Sequence, residues 1–158
     1  MSLNEEVDLL RQIPMFQKVE QSKLKLLAFT SERLVFQPEQ VICEQGEPGD
    51  SMYVIVDGEA DVIVNLPNGP LTVATLKKNS FFGEIAILCD VPRTATVKAT
   101  STLTTLRITT DLFYRLVSEF PQMTIEIMRE IAARLDRTTQ DLQTTRNELA
   151  ELKNAGGD

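Results

Sequence analysis

The chain has 158 residues, 42% of them apolar, with a net charge of −7 and a pI near 4.7. That length and apolar share suit one domain with one core. The acidic balance argues against nucleic acid and anionic membrane surfaces as partners, since both need a cationic face. No apolar run is long enough to cross a bilayer, and the opening Met1-Ser2-Leu3-Asn4-Glu5-Glu6 lacks the basic start and apolar stretch of a signal peptide, so a cytoplasmic location is expected. There is no histidine. Metal-dependent roll enzymes depend on imidazole ligands, and the chain also lacks a nucleophile-elbow serine and a Walker-type loop, so no catalytic residue, no metal and no cofactor are expected. Cys43 and Cys89 sit in unrelated contexts and read as reduced thiols, buried or half-buried.

In chain order, the first predicted element is a helix over Glu5 to Arg11, whose Val7, Leu9 and Leu10 continue in helical spacing to Ile13 and Phe16 across an interruption at Pro14. A second helix is predicted from Ser22, with Ser22 as cap, an apolar face of Leu24, Leu27 and Ala28, and Lys23 and Lys25 in water. From about Ser31 to Ile108 the period shortens to strand-like runs: Arg33 to Phe36, Val41 to Glu44, Met52 to Val56, Ala60 to Val64, Leu71 to Leu76, Ala95 to Ala99 and Leu103 to Ile108. Turn clusters separate them, and Asp57-Gly58 predicts a hairpin because both residues accept positive φ. One short helix, Gly83 to Leu88, interrupts the strands. A further helix is predicted behind a cap at Thr110 or Asp111, running through Leu112, Phe113, Leu116 and Val117. Pro121 then suits the first turn of a long final helix carrying Ile125, Met128, Ile131, Ala132 and Leu135 on one side, thinning to Leu142, Leu149 and Leu152 and fraying from Asn154. The whole reads as an α+β fold: an antiparallel, jelly-roll-like β-roll with N-terminal helices, a short embedded helix and two closing helices, the last long.

The chemistry concentrates in residues 82 to 99, Phe82-Gly83-Glu84-Ile85-Ala86-Ile87-Leu88-Cys89-Asp90-Val91-Pro92-Arg93-Thr94-Ala95-Thr96-Val97-Lys98-Ala99. A glycine opening a helix lets the N–H groups of Gly83, Ile85 and Ala86 approach an anion, and Arg93 adds a fixed cationic fork. Glu84, an acceptor-only carboxylate beside an anion site, makes sense when the ligand also brings a hydroxyl, as a ribose does, or when Arg93 compensates its charge. Phosphate and sugar hydroxyl together suggest a nucleotide.

This run resembles the phosphate-binding cassette of cyclic nucleotide-binding domains, F-G-E-[ILM]-A-L-[LI]-x3-P-R-[AST]-A-[TS]-V-x-A, with Ile87 as the one departure at a fixed position. The resemblance implies that Arg93 grips the cyclic phosphate, with the Ala95 N–H adding a bond, and that Glu84 takes the ribose 2′-hydroxyl. Thr94 bears on base choice: its hydroxyl can pair with a syn guanine, yet some cyclic AMP-responsive domains also carry threonine, and cyclic AMP is preferred here over cyclic GMP. The resemblance also places Val62, Ala74 and Leu76 at the base and makes Arg134 and Leu135 a lid, with Arg137 behind them; plain core packing and a solvated helix face are the competing readings. The expected division is a cyclic nucleotide-binding domain over 1–141 and an extended helix end with tail over 142–158. The expected function is a non-catalytic sensor or regulatory domain signalling to an unidentified protein partner. Alternatives are the sensory part of a larger transcription factor or channel assembly, and a ligand-free interaction domain of the same fold. Met128, Leu135, Leu142 and Leu149 recur every seven residues, which raises a homodimer through this helix, although the accompanying Ala132, Thr139 and Arg146 are poor core residues.

Overall fold

A computed structural model describes residues 2–156. The chain opens with α1 (Leu3–Arg11), a 3-10 turn (Pro14–Phe16) and α2 (Gln21–Thr30). Eight strands follow: β1 (Glu32–Phe36), β2 (Val41–Cys43), β3 (Ser51–Asp57), β4 (Ala60–Leu66), β5 (Gly69–Leu76), β6 (Phe81–Phe82), β7 (Thr96–Ala99) and β8 (Leu103–Thr109), with α3 (Glu84–Cys89) between β6 and β7. Two helices close it, α4 (Thr110–Glu119) and α5 (Pro121–Ala155). The strands form two antiparallel four-stranded sheets, ordered β1-β8-β3-β6 and β2-β7-β4-β5, so the expected roll is what folds.

The period-2 alternation of β3 explains how one strand serves two cores. Met52, Val54 and Val56 face the helices, joining Leu10, Phe16, Leu24, Phe113, Met123 and Ile127. Tyr53 and Ile55 face the second sheet, joining Cys43, Ala60, Leu76, Phe82, Val97, Ala99 and Leu103. Phe81 and Phe82 split between the same two clusters, and Phe82 stacks on Tyr53 with ring centroids 5.1 Å apart. The strand β6 that they form was not anticipated from sequence, because two residues are too few to show a period.

Several expectations are corrected. Asp57-Gly58 is no hairpin: β3 pairs with β8 and β6, β4 pairs with β5 and β7, and the dipeptide carries the chain from one sheet to the other. The tight hairpin is at Pro67-Asn68, where Leu66 pairs with Gly69. Helix α1 begins earlier than Glu5, behind a capping box in which Ser2 and Glu5 bond each other's backbone N–H, a Ser-x-x-Glu signature present in the sequence. Ser22 caps nothing, since α2 starts at Gln21 without a side-chain cap. The cap of α4 is Thr109 rather than Thr110 or Asp111, its Oγ1 accepting from the Leu112 N–H. Pro121 does open α5, and Asn154 and Ala155 are still helical; the expected fraying of Gly157 and Asp158 lies outside the described residues. Cys43 is buried, its thiol pushed up to about 11 by that burial, whereas Cys89 is exposed at the end of α3, contrary to expectation; both are free.

Candidate functional site

Gly83 takes φ +91° and ends β6 by turning the backbone directly into α3. This puts Glu84 in the first turn of α3 and buries it to 2% exposure, with Ala86 also buried and Ile85 outward. The left-handed Asp90 closes α3, an αL position that Asp tolerates, and the Tyr114 hydroxyl on α4 donates to the Ile87 carbonyl at 3.2 Å.

Arg93 is 7% exposed, so it is no surface turn residue. Its backbone is clamped by the 45–50 loop: the Gly46 N–H donates to the Arg93 carbonyl and the Arg93 N–H to the Glu47 carbonyl, each at 2.8 Å. Its guanidinium donates to the Gly83 carbonyl at 3.0 Å and the Ser51 carbonyl at 2.7 Å, tying α3, β3 and the 45–50 loop to one cation. Gly49 lies so close that a Cβ there would stand 2.9 Å from Arg93 Cζ. The sequence marks 45–50 only as a turn; its part in framing Arg93 is a contact across the fold that no local pattern encodes. Thr94 is exposed and Ala95 half-buried at the entry to β7.

Glu84 meets a partner from the far end of the chain. Arg134 Nη1 on α5 lies 3.2 Å from Glu84 Oε1, its Nε donates to Glu130 at 3.1 Å, its Nη2 donates to the Phe81 carbonyl, and its Cζ sits 4.7 Å from the Phe81 ring centroid. Burial raises the Glu84 carboxyl above its ordinary value, with Arg134 opposing that shift. Glu130 and Phe81 were not singled out from sequence; Glu130, four residues before Arg134 on a helix, carried a readable signal. Leu135 points away and is 66% exposed, because adjacent helical residues are turned by about 100°. Arg137 pairs with Glu130 at 3.6 Å. Val62 and Ala74 are cross-strand partners on β4 and β5, as are Ala60 and Leu76. Leu76 is buried in the inter-sheet cluster that contains Phe82, with Val62 packed on it, while Ala74 is exposed. The structure thus brings Gly83, Glu84, Ala86, Arg93 and Arg134 into one constellation and sets Val62, Ala74 and Leu76 along one β4–β5 face.

The family model of the cyclic nucleotide-binding domain matches residues 33–120. The chain belongs to that family. The cAMP-dependent protein kinase regulatory subunit of Yarrowia lipolytica is 35% identical to this cyclic nucleotide-binding domain over 108 residues, 68% of the chain and 28% of that protein. A cyclic nucleotide-gated potassium channel of Mesorhizobium japonicum is 33% identical over 120 residues, 76% of the chain and 32% of that protein. The chain therefore spans about a third or less of these relatives. Among solved structures, a cyclic nucleotide-binding domain from Methylobacillus flagellatus superposes with a TM-score of 0.76 at 21% identity, covering 90% of this chain and 83% of that one, which shows the shared roll. Among the described residues no helix is long and apolar enough to cross a membrane, and no cluster of acidic or cysteine side chains has metal-ligand geometry.

Proposed function

We propose that this chain is a non-catalytic cytoplasmic regulatory module that binds a cyclic nucleotide, cyclic AMP in preference to cyclic GMP, and reports occupancy through α5. The observation that carries the reading is the buried Arg93, held between the carbonyls of Gly83 and Ser51 at the start of α3. Two of its five N–H donors are used on carbonyls, leaving others for the cyclic phosphate beside the N–H groups of Gly83, Ile85, Ala86 and Ala95. Glu84 takes the ribose 2′-hydroxyl; a carboxylate offers about four lone-pair sites, so Arg134 and a ribose can share it. Val62, Ala74 and Leu76 line the base, and Arg134 links the site to the final helix. Cyclic AMP is favoured because kinase regulatory relatives are named for it, while Thr94 admits either base. A second reading has support of its own: the matched stretch is 28% of the kinase regulatory subunit, 32% of the channel and 61% of a CRP-like transcriptional regulator, as expected if this module is the sensory part of a larger assembly, such as a channel or transcription factor.

The test is titration calorimetry with both nucleotides. Arg93→Ala should lose about 1.5–3 kcal/mol or more, the size of a charged hydrogen bond, which is roughly a ten- to hundredfold rise in Kd. Because Arg93 also holds two carbonyls, Arg93→Lys is run alongside, keeping charge without the fork, with circular dichroism confirming the fold. A folded Arg93→Ala protein binding as tightly as wild type would refute the assignment. Tighter binding of cyclic GMP would reverse the base choice alone.

A further inference from the structure

The guanidinium of Arg93 hangs on main-chain oxygens, so its aim depends on what holds those oxygens in place. One of them is the carbonyl of Ser51, a fully buried residue at the start of β3. A second arginine grips the same residue: Arg107 on β8 donates from Nε to the Ser51 hydroxyl at 3.1 Å. That hydroxyl donates to Asp50 Oδ1 at 3.1 Å, and Arg107 Nη2 donates to Asp50 Oδ2 at 3.4 Å, which closes a ring of three side chains. The Asp50 carbonyl is fixed as well, accepting from the Thr110 N–H at 3.0 Å and the Thr110 hydroxyl at 2.9 Å at the start of α4. The Ser51 hydroxyl holds the Asp50 carboxyl below its ordinary value, with Arg107 adding to that shift, so Asp50 stays charged and keeps both partners at neutral pH. Fold stability is a weak reason for this arrangement. The carboxylates paired with Arg107, Glu32 at 3.3 Å and Asp50, have side chains 59% and 82% exposed, and surface pairs contribute little. The contact with Ser51 is different, because that residue is buried and is held by Arg93 as well.

We propose that Arg107 is a positioning residue for cyclic nucleotide binding: it fixes Ser51, and the Ser51 carbonyl in turn aims the Arg93 guanidinium at the phosphate. The inference rests on the cyclic nucleotide reading of the site. A guanidinium binds a phosphate through a planar fork, so the plane of the group matters as much as its place. Two carbonyls define that plane for Arg93, Gly83 through Nη1 and Ser51 through Nη2. A long side chain that only the ligand orders loses conformational freedom on binding, whereas one held beforehand does not. Arg107 acts here through Ser51 and not through its own charge. The rival role is long-range attraction, since a cation adds to the field at an anion site whether or not it bonds to Ser51. The serine hydroxyl separates the two roles, because deleting it changes no charge.

Calorimetric titration of the whole chain with cyclic AMP tests this, beside NMR of the Arg93 guanidinium, assigned by its loss in Arg93→Lys. Ser51→Ala and Arg107→Met should each raise Kd roughly three- to tenfold, the weight of one hydrogen bond. The double variant should lose no more than the larger single loss, because both changes cut the same path. In ligand-free protein the Arg93 guanidinium protons should exchange with water roughly tenfold faster in each variant, and by more than the backbone amides of β3 and β8. A merely structural role would move those amides equally. Ser51→Ala removes a single oxygen atom and carries the test if Arg107→Met does not fold. Unchanged Kd in folded variants, a loss in Arg107→Met without one in Ser51→Ala, additive losses, or an unaltered Arg93 signal would each overturn the proposal. Wild type that gives neither heat nor thermal stabilisation with cyclic AMP or cyclic GMP would refute the nucleotide reading and this role with it. Wild type that binds while both variants match it refutes the role alone.

Discussion

A Cβ at Gly49 would stand 2.5 Å from the Ala86 Cβ and 2.9 Å from the Arg93 guanidinium, so the 45–50 loop can close over that cation only with glycine there. Gly49→Ala should therefore destabilise by about 1–3 kcal/mol, the usual cost of overpacking. It should also weaken nucleotide binding by displacing Arg93; urea unfolding and calorimetry read the two effects separately, and an unchanged pair of values would sink the argument. Glu84 offers a pH test. Burial raises its folded-state value above the ordinary 4.5, with Arg134 pulling the other way. A carboxyl raised on folding binds more protons in the native state, so its contribution is fully present below the unfolded value and lost as pH rises through the folded one. The stability of wild type minus Glu84→Gln, measured by urea unfolding, should fall as pH is raised from about 4. A difference that rose or stayed flat would show that burial does not dominate at this carboxyl.

At the scale of elements, the Asp57-Gly58 dipeptide shows how a strong local signal can mislead. Residues that accept positive φ permit a hairpin, but they equally permit a change of sheet, and pairing partners decide between the two. Gly58 sits at φ +93°, and a Cβ there would run into the Thr102 carbonyl and stand 2.9 Å from Leu103 Cα. Gly58→Ala should cost at least about 2 kcal/mol, from left-handed strain and a backbone clash together, visible as a lowered urea midpoint with m unchanged. Wild-type stability in that variant would mean the crossover relaxes freely. Both faces of β3 being apolar was the sequence's clue that it lies between two layers, and that clue was readable as a continuous run, Met52 to Val56, without saying what covered each face.

For the whole molecule, one side chain links the end of the fold to its centre. Arg134 holds Glu84, the Phe81 carbonyl and the Phe81 ring from α5, just where the helix leaves the body. Arg134→Met keeps bulk while removing the charge and fork. It should raise amide exchange in α3 and in residues 128–136 by roughly tenfold, the signature of local opening set free by losing about 1.4 kcal/mol. Exchange confined to wild-type rates would show that α5 is held by the packing of Met123, Ile127 and Ile131 alone. By itself the sequence determined the roll and its closing helices and marked Gly83, Glu84 and Arg93 as candidate site residues, because alternation, turn residues and a glycine-led helix start followed by an arginine are written in local spacing. Only the tertiary structure decided that Gly49 and Ser51 frame Arg93 and that Arg134 reaches Glu84 while Leu135 faces solvent. Those are contacts between residues about fifty apart in sequence or across two sheets, set by how the layers close and invisible to any period of two or 3.6.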